Sequence, residues 1–213
     1  LYDGAAALFV EGTLVDGTTT VTDIFAMDNG VFRNIAYRSH SDSSAARREY
    51  AVYAADVNGD KRLEVPMAFR LPAPEDAETV YWVYDWYGFL SNGSREFACS
   101  TYHCVSDGWY LILPDNLRQG LQVRRETSVS GVRTVVLSSL TGDGTTQDML
   151  VIDTLTGENR QERAKLAGRF LLREDNTTIY TARLPEGSAL LKEDVISGFR
   201  PIYNEWNIGA IGS

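Results

Sequence analysis

Histidine and cysteine are scarce in this sequence, and their scarcity limits the chemistry it can support. The 213 residues include two His and two Cys. A Ser-His-acid arrangement would have to use His40 or His103, and His40 lies in a polar loop where a preorganised base is not expected. A zinc site at the cysteines could add only His103. An enzyme therefore stays an alternative hypothesis, as a secreted hydrolase with a site between the two halves of the chain.

The two cysteines leave the redox compartment open. Cys99 and Cys104 are five residues apart in the segment CSTYHC. A disulfide closing this small loop would fit an oxidising compartment, whereas two unpaired thiols fit the spacing equally well.

Long apolar runs and an excess of basic residues are also lacking. No run reaches the ~20 apolar residues of a membrane-spanning helix, and there is no signal peptide pattern. The net charge is −9, and the pairs Arg47-Arg48 and Arg124-Arg125 are each followed by Glu. We therefore read both pairs as solvated faces and expect no nucleic-acid partner. Because the chain begins at Leu1 rather than Met, we expect that an N-terminal portion is missing and that export remains possible.

Alternating and β-branched segments predict many short strands, and aromatic residues make up 11% of the chain. Asn29-Gly30 between two such segments predicts a hairpin with a type I′ turn. Pro66 predicts an edge strand or a bulge because proline has no N–H to donate. The predicted strands are 7–13, 20–26, 31–37, 50–55, 63–69, 79–87, 109–114, 121–126, 133–140, 148–155, 169–173 and 178–184.

Two helices are predicted in the second half. Residues 158–167 contain good helix formers and precede Gly168, and residues 192–206 place Val195, Phe199, Ile202 and Trp206 on one stripe, with a kink at Pro201. We therefore predict an α+β fold. Residues 1–106 would form an antiparallel β meander like propeller blades, and residues 107–213 an antiparallel sheet with one or two packed helices.

The segment DVNGDKRLE at residues 56–64 is the strongest site-like pattern. Asp56, Asn58 and Asp60 can present side-chain oxygens, Arg62 its backbone carbonyl, and Glu64 a closing carboxylate. Such a set can supply the six to eight oxygens that Ca²⁺ prefers, and magnesium fits less well. The alternative is an Asx-rich turn that satisfies backbone donors without a metal.

Residues 56–66 resemble the calcium loop of FG-GAP and VCBS repeats, in which Asp-x-Asn-x-Asp-Gly-x-x-Glu/Asp joins two blade strands. The sequence departs from that pattern at Lys61, which takes the place of the glycine, while Gly59 comes earlier. The segments WYLILP and GRFLLRED are similar to C-terminal regions of secreted or lipid-anchored proteins of Gram-positive gut bacteria. The opening of this half is also loosely similar to the PsbP-type sandwich.

These resemblances imply a non-enzymatic binding or scaffolding module outside the cytoplasm, extracellular or anchored to a bacterial cell surface. Its ligand would be a protein or a carbohydrate there, with calcium stabilising the β region. A metal-free interaction domain is a further alternative, with an exposed aromatic patch around Trp82 and Trp86. The simpler interpretation of that aromatic run is a strand buried on both faces.

Overall fold

The protein is described from a computed structural model. It describes residues 1–17, 19–37, 46–48, 52–72, 79–127, 131–142, 144–166 and 168–202.

The fold is mostly β, and the predicted α+β class is wrong. Strands account for 52% of the described residues and helices for 11%, in three antiparallel sheets with three short helices. The strands are β1 (Ala7–Thr13), β2 (Thr20–Asp28), β3 (Val31–Asn34), β4 (Arg47–Arg48), β5 (Glu64–Arg70), β6 (Trp82–Phe89), β7 (Arg95–Cys104), β8 (Trp109–Ile112), β9 (Leu121–Thr127), β10 (Val132–Leu140), β11 (Thr146–Thr156), β12 (Phe170–Glu174), β13 (Thr178–Arg183) and β14 (Phe199–Pro201). The helices are α1 (Asp115–Arg118), α2 (Arg160–Ala164) and α3 (Lys192–Gly198).

The chain divides into two compact units. The first contains residues 1–70 and 82–112 with the described residues after Arg200, and the second contains residues 71–81 and 113–200. The sequence predicts a boundary at residue 106, whereas the structure divides this part of the chain after Ile112. None of the helices in the described ranges is long and apolar enough to cross a membrane.

One sheet of the first unit has the order β1-β2-β3, with β4 also pairing with β2. The predicted Asn29-Gly30 turn is confirmed, since both residues have positive φ, 49° and 79°. Even-numbered side chains of β2 face the core, where Ile24 and Ala26 are buried.

The other sheet of this unit has the order β14-β8-β7-β6-β5. Pro201, the last residue of β14, belongs to the first unit. Strand β5 is the last in this order, as Pro66 predicted. The strands of residues 1–106 thus divide between two sheets, and the described residues form no closed propeller. The propeller-blade interpretation is corrected accordingly.

The second unit is built on a sheet with the order β12-β13-β11-β10-β9. The side chains of Leu137, Leu150, Ile152 and Leu155 are fully buried in it. Helix α2 packs against β11 and β13, and α3 against β12. These helices cover a sheet that supplies most of the unit's core.

The predicted final helix is wrong beyond its first two turns. Helix α3 ends at Gly198, and Phe199–Pro201 is a strand. Glycine has a low helix propensity, and proline disfavours helical geometry at the residue before it. Gly198 and Pro201 therefore end the helix, although the apolar spacing continues beyond it. Trp206 lies outside the described residues.

Candidate functional site

The loop at residues 56–64 begins and ends at neighbouring backbone positions of the first unit. The Ala55 amide donates to the Glu64 carbonyl at 3.0 Å, and the Glu64 amide donates to the Ala55 carbonyl at 2.9 Å. This pair of bonds closes the base of the loop. The predicted strand at residues 50–55 is reduced to this single bridge among the described residues.

Side-chain oxygens of the loop accept backbone amides of the same loop. Asp56 accepts from Gly59 through Oδ1 at 2.7 Å and from Lys61 through Oδ2 at 2.9 Å. Asn58 Oδ1 accepts from the Asp60 amide at 2.9 Å, and Asp60 Oδ1 accepts from the Arg62 amide at 2.8 Å. Three of the five residues predicted as metal ligands, Asp56, Asn58 and Asp60, therefore fold one continuous turn.

Lys61 adopts the left-handed conformation that the loop pattern assigns to glycine. Its φ is 69°, and Asn29 is the other non-glycine residue with positive φ in the described chain. This conformation costs an L-residue with a Cβ roughly 1–2 kcal/mol. The backbone is therefore left-handed at the position where the sequence departs from the pattern.

Glu64 is buried at the start of β5, and both of its oxygens accept hydrogen bonds. Oε1 accepts from the Tyr2 hydroxyl at 2.9 Å and Oε2 from the Val57 amide at 3.0 Å. Burial raises the pKa of Glu64 above its ordinary value, and the carboxylates of Asp60 and Asp56 raise it further, against the opposing effect of the two hydrogen bonds. Glu64 therefore lies in an environment that disfavours its negative charge.

Tyr2 forms one wall of the site. Its ring lies against Gly88, the residue paired with Glu64, so closely that a Cβ on Gly88 would be 2.1 Å from ring carbon Cε1. The Arg62 guanidinium lies 5.2 Å from the ring centroid. Burial, followed by the bond to Glu64, raises the pKa of the Tyr2 hydroxyl, so Tyr2 acts as a neutral donor. Sequence reasoning missed Tyr2 because 62 residues separate it from Glu64 and no local pattern joins them.

The donor set suits a hard cation in its chemistry. Asp56 and Asp60 offer carboxylates and Asn58 an amide oxygen, and an oxygen that accepts one hydrogen bond keeps a lone pair for a metal. Within the described residues, no Lys or Arg forms an ion pair with Asp56, Asp60 or Glu64. The same residues contain no group of three His, Cys, Asp or Glu side chains arranged to hold a metal. A cation here would thus depend on Asn58 and on backbone oxygen such as the Arg62 carbonyl.

No family model, curated protein or solved structure matches this chain. The function must therefore be inferred from the residues themselves.

The two cysteines do not form the small-loop disulfide. Both are reduced thiols on strand β7. At ~3.3 Å per residue their Cα atoms are about 16 Å apart, well beyond the ~7 Å limit for a disulfide. Burial, followed by the charges of Glu64 and Asp85, raises the pKa of Cys99 to about 12. Cys99 therefore remains protonated and is a poor nucleophile.

His103 is packed among aromatic rings on the second sheet of the first unit. Its ring centroid lies 4.8 Å from that of Tyr84 and 5.1 Å from that of Tyr110. Its Nε2 lies 2.9 Å from the Thr101 hydroxyl, which also accepts from Trp86 Nε1 at 2.8 Å. These contacts resemble those of a structural histidine more than those of a general base. His40 lies outside the described residues.

The aromatic run is largely part of the core. Trp86 and Tyr84 are buried, and Trp82 is half-buried. The aromatic patch predicted around Trp82 and Trp86 is therefore not exposed at Trp86, so a metal-free module would have to bind through another surface.

Arg48 was expected on a solvated face and is instead buried. Its guanidinium pairs with Glu11 at 3.0 Å and donates to the Thr22 hydroxyl at 2.8 Å and to the Val52 carbonyl. Burial lowers the pKa of Arg48 from its ordinary value, against the opposing effect of Glu11. The local sequence Arg47-Arg48-Glu49 does not predict the burial of Arg48, because its partner Glu11 lies 37 residues away.

Proposed function

We propose that the first unit is a non-enzymatic binding or scaffolding module of an exported bacterial protein, displayed at the cell surface, whose 56–64 loop binds calcium. The observation that carries the proposal is the backbone of the loop. Lys61 holds φ at 69° while Asp56 accepts amides from both Gly59 and Lys61. The left-handed backbone at Lys61 supports a cation site because it belongs to the turn that brings oxygens of Asp56, Asn58 and Asp60 into one loop.

Calcium fits this loop better than magnesium. The donors are carboxylate, amide and backbone oxygens on a short irregular loop, and calcium accepts six to eight such ligands with variable geometry. Magnesium requires a near-ideal octahedron and retains several waters. Because Lys61 places a positive charge beside the ion, we expect weak affinity, in the ~10⁻⁴–10⁻³ M range of extracellular modules.

Calcium at this loop would stabilise the first unit through Glu64. That carboxylate joins the loop to Tyr2 and Val57, and its ionised form is disfavoured by burial and by Asp56 and Asp60. A divalent cation would offset both effects. The ligand of the module itself would be a protein or a carbohydrate at the cell surface.

A metal-free interaction module is the second candidate, and one observation favours it. Asp56, Asn58 and Asp60 each already accept a backbone amide, so the loop can close without a metal. Under this alternative, the carboxylates act only as hydrogen-bond acceptors.

Thermal unfolding with and without millimolar calcium separates the two candidates. At a calcium concentration ten times Kd, binding to the native state adds about 1.4 kcal/mol, which raises Tm by a few degrees. Asp60→Asn keeps an oxygen that can accept from the Arg62 amide but removes the charge, so it should abolish most of this rise. Asp175→Asn is the matched control, because Asp175 Oδ1 accepts the Thr178 amide at 3.1 Å in a turn of the second unit.

A Tm of the parent protein that calcium does not change would reject the metal and leave the metal-free module. An equal calcium response in the parent and in Asp60→Asn would place any bound calcium elsewhere.

A further inference from the structure

Strand β1 lies at the edge of its sheet, and alternate backbone groups of the strand face away from β2. In an antiparallel pair, every second residue of a strand bonds to the same neighbour. The Ile35 amide donates to the Ile24 carbonyl at 2.7 Å on the β3 side, so the odd-numbered residues of β2 bond to β1. These stand opposite even-numbered residues of β1, as Asp23 stands opposite Val10. The odd-numbered residues of β1 therefore turn their amides and carbonyls to the open edge: Ala7, Phe9, Glu11 and Thr13.

This open row of backbone groups is unpaired in the part of the chain that the structure describes. Strand β1 pairs with β2 alone, and no other hydrogen bond of the described residues reaches the amides or carbonyls of the row. A row of free donors and acceptors at a sheet edge is a template on which a further strand can pair.

The other sheet edges are protected against such pairing. Strand β5 contains Pro66, β12 has an irregular register after Leu171, and β9 carries Arg124 and Arg125. Strands β3, β4 and β14 have only four, two and three residues. Proline, bulges, charged side chains and short length are the usual means of protecting an edge. Strand β1 has seven residues, no proline and an unbroken register with β2.

The charged side chain of β1 is already balanced within the chain. Glu11 points inwards, where its Oε1 accepts from Arg48 Nη2 at 3.0 Å, from the Ala54 amide at 2.9 Å and from the Thr22 hydroxyl. An inward charge protects an edge when an added strand would bury it without a partner. Because Arg48 supplies the counter-charge, Glu11 does not exclude an added strand.

The sequence of β1 is complementary to itself in one antiparallel register. When Val10 stands opposite Val10 of a second copy, all seven residues pair, and Phe9 and Glu11 exchange hydrogen bonds across the new pair, as do Ala7 and Thr13. The same register sets Leu8, which is 57% exposed, opposite Gly12. A Cβ on Gly12 would meet nothing within 4 Å, so the glycine leaves space for the leucine side chain.

The charges of this sheet also permit a second copy to approach. Strands β1–β4 carry three carboxylates and three guanidinium groups, on Glu11, Asp23, Asp28, Arg33, Arg47 and Arg48. The sheet is therefore neutral although the whole chain has a net charge of −9. Self-repulsion at this edge is thus weaker than the net charge of the chain would give.

We propose that β1 is a dimerisation edge, along which β1 of a second copy pairs antiparallel with Val10 at the two-fold axis. The pairing joins two sheets into one, and each copy presents the same residues to the other. The proposal goes beyond the binding module and does not rest on its calcium loop.

Sedimentation of the full chain from micromolar to millimolar concentration tests the pairing, and we expect the parent to form dimers. Val10→Lys and Val10→Glu each place like charges opposite one another at the axis, so each should weaken self-association about tenfold. An equimolar mixture of the two variants should restore association, because opposite charges then face one another. Val10 is 47% exposed, so both substitutions leave the core intact.

Two control variants lie on the same sheet away from β1. Val31→Lys is the matched control, because Val31 is 59% exposed on β3. Phe32→Ser removes an apolar side chain that is 60% exposed on β3. Both variants should dimerise as the parent does.

Amide hydrogen exchange of the ¹⁵N-labelled chain reports the register. As the concentration rises, exchange at the odd-numbered residues of β1 should slow, because their amides gain partners. The even-numbered residues should keep the protection that they already receive from β2.

A parent chain that stays monomeric, a dimer that both Val10 variants leave intact, or a mixture of those variants that does not associate would overturn the proposal. Slowed exchange confined to residues outside β1 would do the same. A dimer that Phe32→Ser removes would place the contact on the face of the sheet and would also overturn it. Because the calcium response of Tm is measured on other variants, failure here leaves the calcium proposal untouched.

Discussion

Buried carboxylates are balanced differently in the second unit and in the 56–64 loop of the first. In the second unit, Asp153 accepts from Arg169 Nε at 2.8 Å and from the Thr134 hydroxyl at 2.6 Å. In the first unit, Glu64 accepts from a neutral hydroxyl and a backbone amide and lies near two further carboxylates. The second unit thus supplies its own counter-charge. At Glu64, the described residues supply no such counter-charge.

This difference belongs to the loop and does not extend to the whole first unit. Glu11 in the same unit is paired with the buried Arg48. The unit can therefore bury an arginine beside a carboxylate, and the described residues show no such pairing at Glu64. The comparison therefore concerns Glu64 and its loop rather than the first unit as a whole.

Arg169→Met should have the largest effect on stability, because it removes the positive charge that pairs with the buried Asp153 in the second unit. The side chain of Asp153 is 1% exposed, so removal of Arg169 leaves a buried and uncompensated charge. We expect the free energy of unfolding in urea to fall by about 3–5 kcal/mol. A loss no greater than that of an exposed pair would show that Asp153 does not depend on its arginine.

Gly88→Ala should disturb the Tyr2 wall of the loop. The new Cβ would overlap the Tyr2 ring, so the ring must leave its place and the Tyr2–Glu64 hydrogen bond must break. We expect a loss of about 1–2 kcal/mol in the free energy of unfolding. Because both changes remove the same contact, Tyr2→Ala should lower stability little further in a Gly88→Ala background. Additive losses would contradict this coupling.

Lys61→Gly should stabilise the protein and sharpen the calcium response. Glycine adopts positive φ without a Cβ penalty, so we expect a gain of about 1 kcal/mol. Removing the lysine charge should also lower the Kd for calcium, measured by isothermal titration. Gly59→Ala is the reciprocal variant: Gly59 has φ of 85° and open space around it, so its cost comes from the backbone alone. A destabilised Lys61→Gly would mean that the lysine side chain makes an essential contact.

Arg124→Met should give the smallest effect. Arg124 and Asp148 are 48% and 37% exposed, so their pair contributes less than about 1 kcal/mol. Hydrogen bonding by Arg124 lowers the pKa of Asp148 to about 2. The contribution is therefore present above the ordinary pKa of about 3.9 and is lost as pH falls towards 2. Urea unfolding from neutral pH to about pH 2 should show a smaller acid loss in Arg124→Met than in the parent.

Local sequence patterns predicted much of the strand structure. The alternating pattern predicted β1 at residues 7–13, and Asn29-Gly30 predicted the turn between β2 and β3. Strand β7 was not predicted, because its sequence REFACSTYHC does not alternate apolar and polar residues. The helical stripe through Phe199 was misleading, because Gly198 and Pro201 end the helix within it.

The candidate site was predictable only in its local part. The spacing of Asp56, Asn58 and Asp60 identified the loop, and its departure at Lys61 was visible in the sequence. The burial of Glu64 and its contact with Tyr2 depend on residues distant in the chain, and a single sequence carries no signal for such pairs.

The ionisation of Glu64 with and without calcium tests the central claim most directly. Its raised pKa means that stability falls as pH rises from about 4.3 through the folded-state value, since the folded state then holds the proton that the unfolded state has lost. Carboxyl ¹³C signals of the labelled protein report this titration. Calcium ligation predicts a raised pKa in chelator and a pKa below about 4.3 in millimolar calcium. The same titration curve in both solutions would contradict the account.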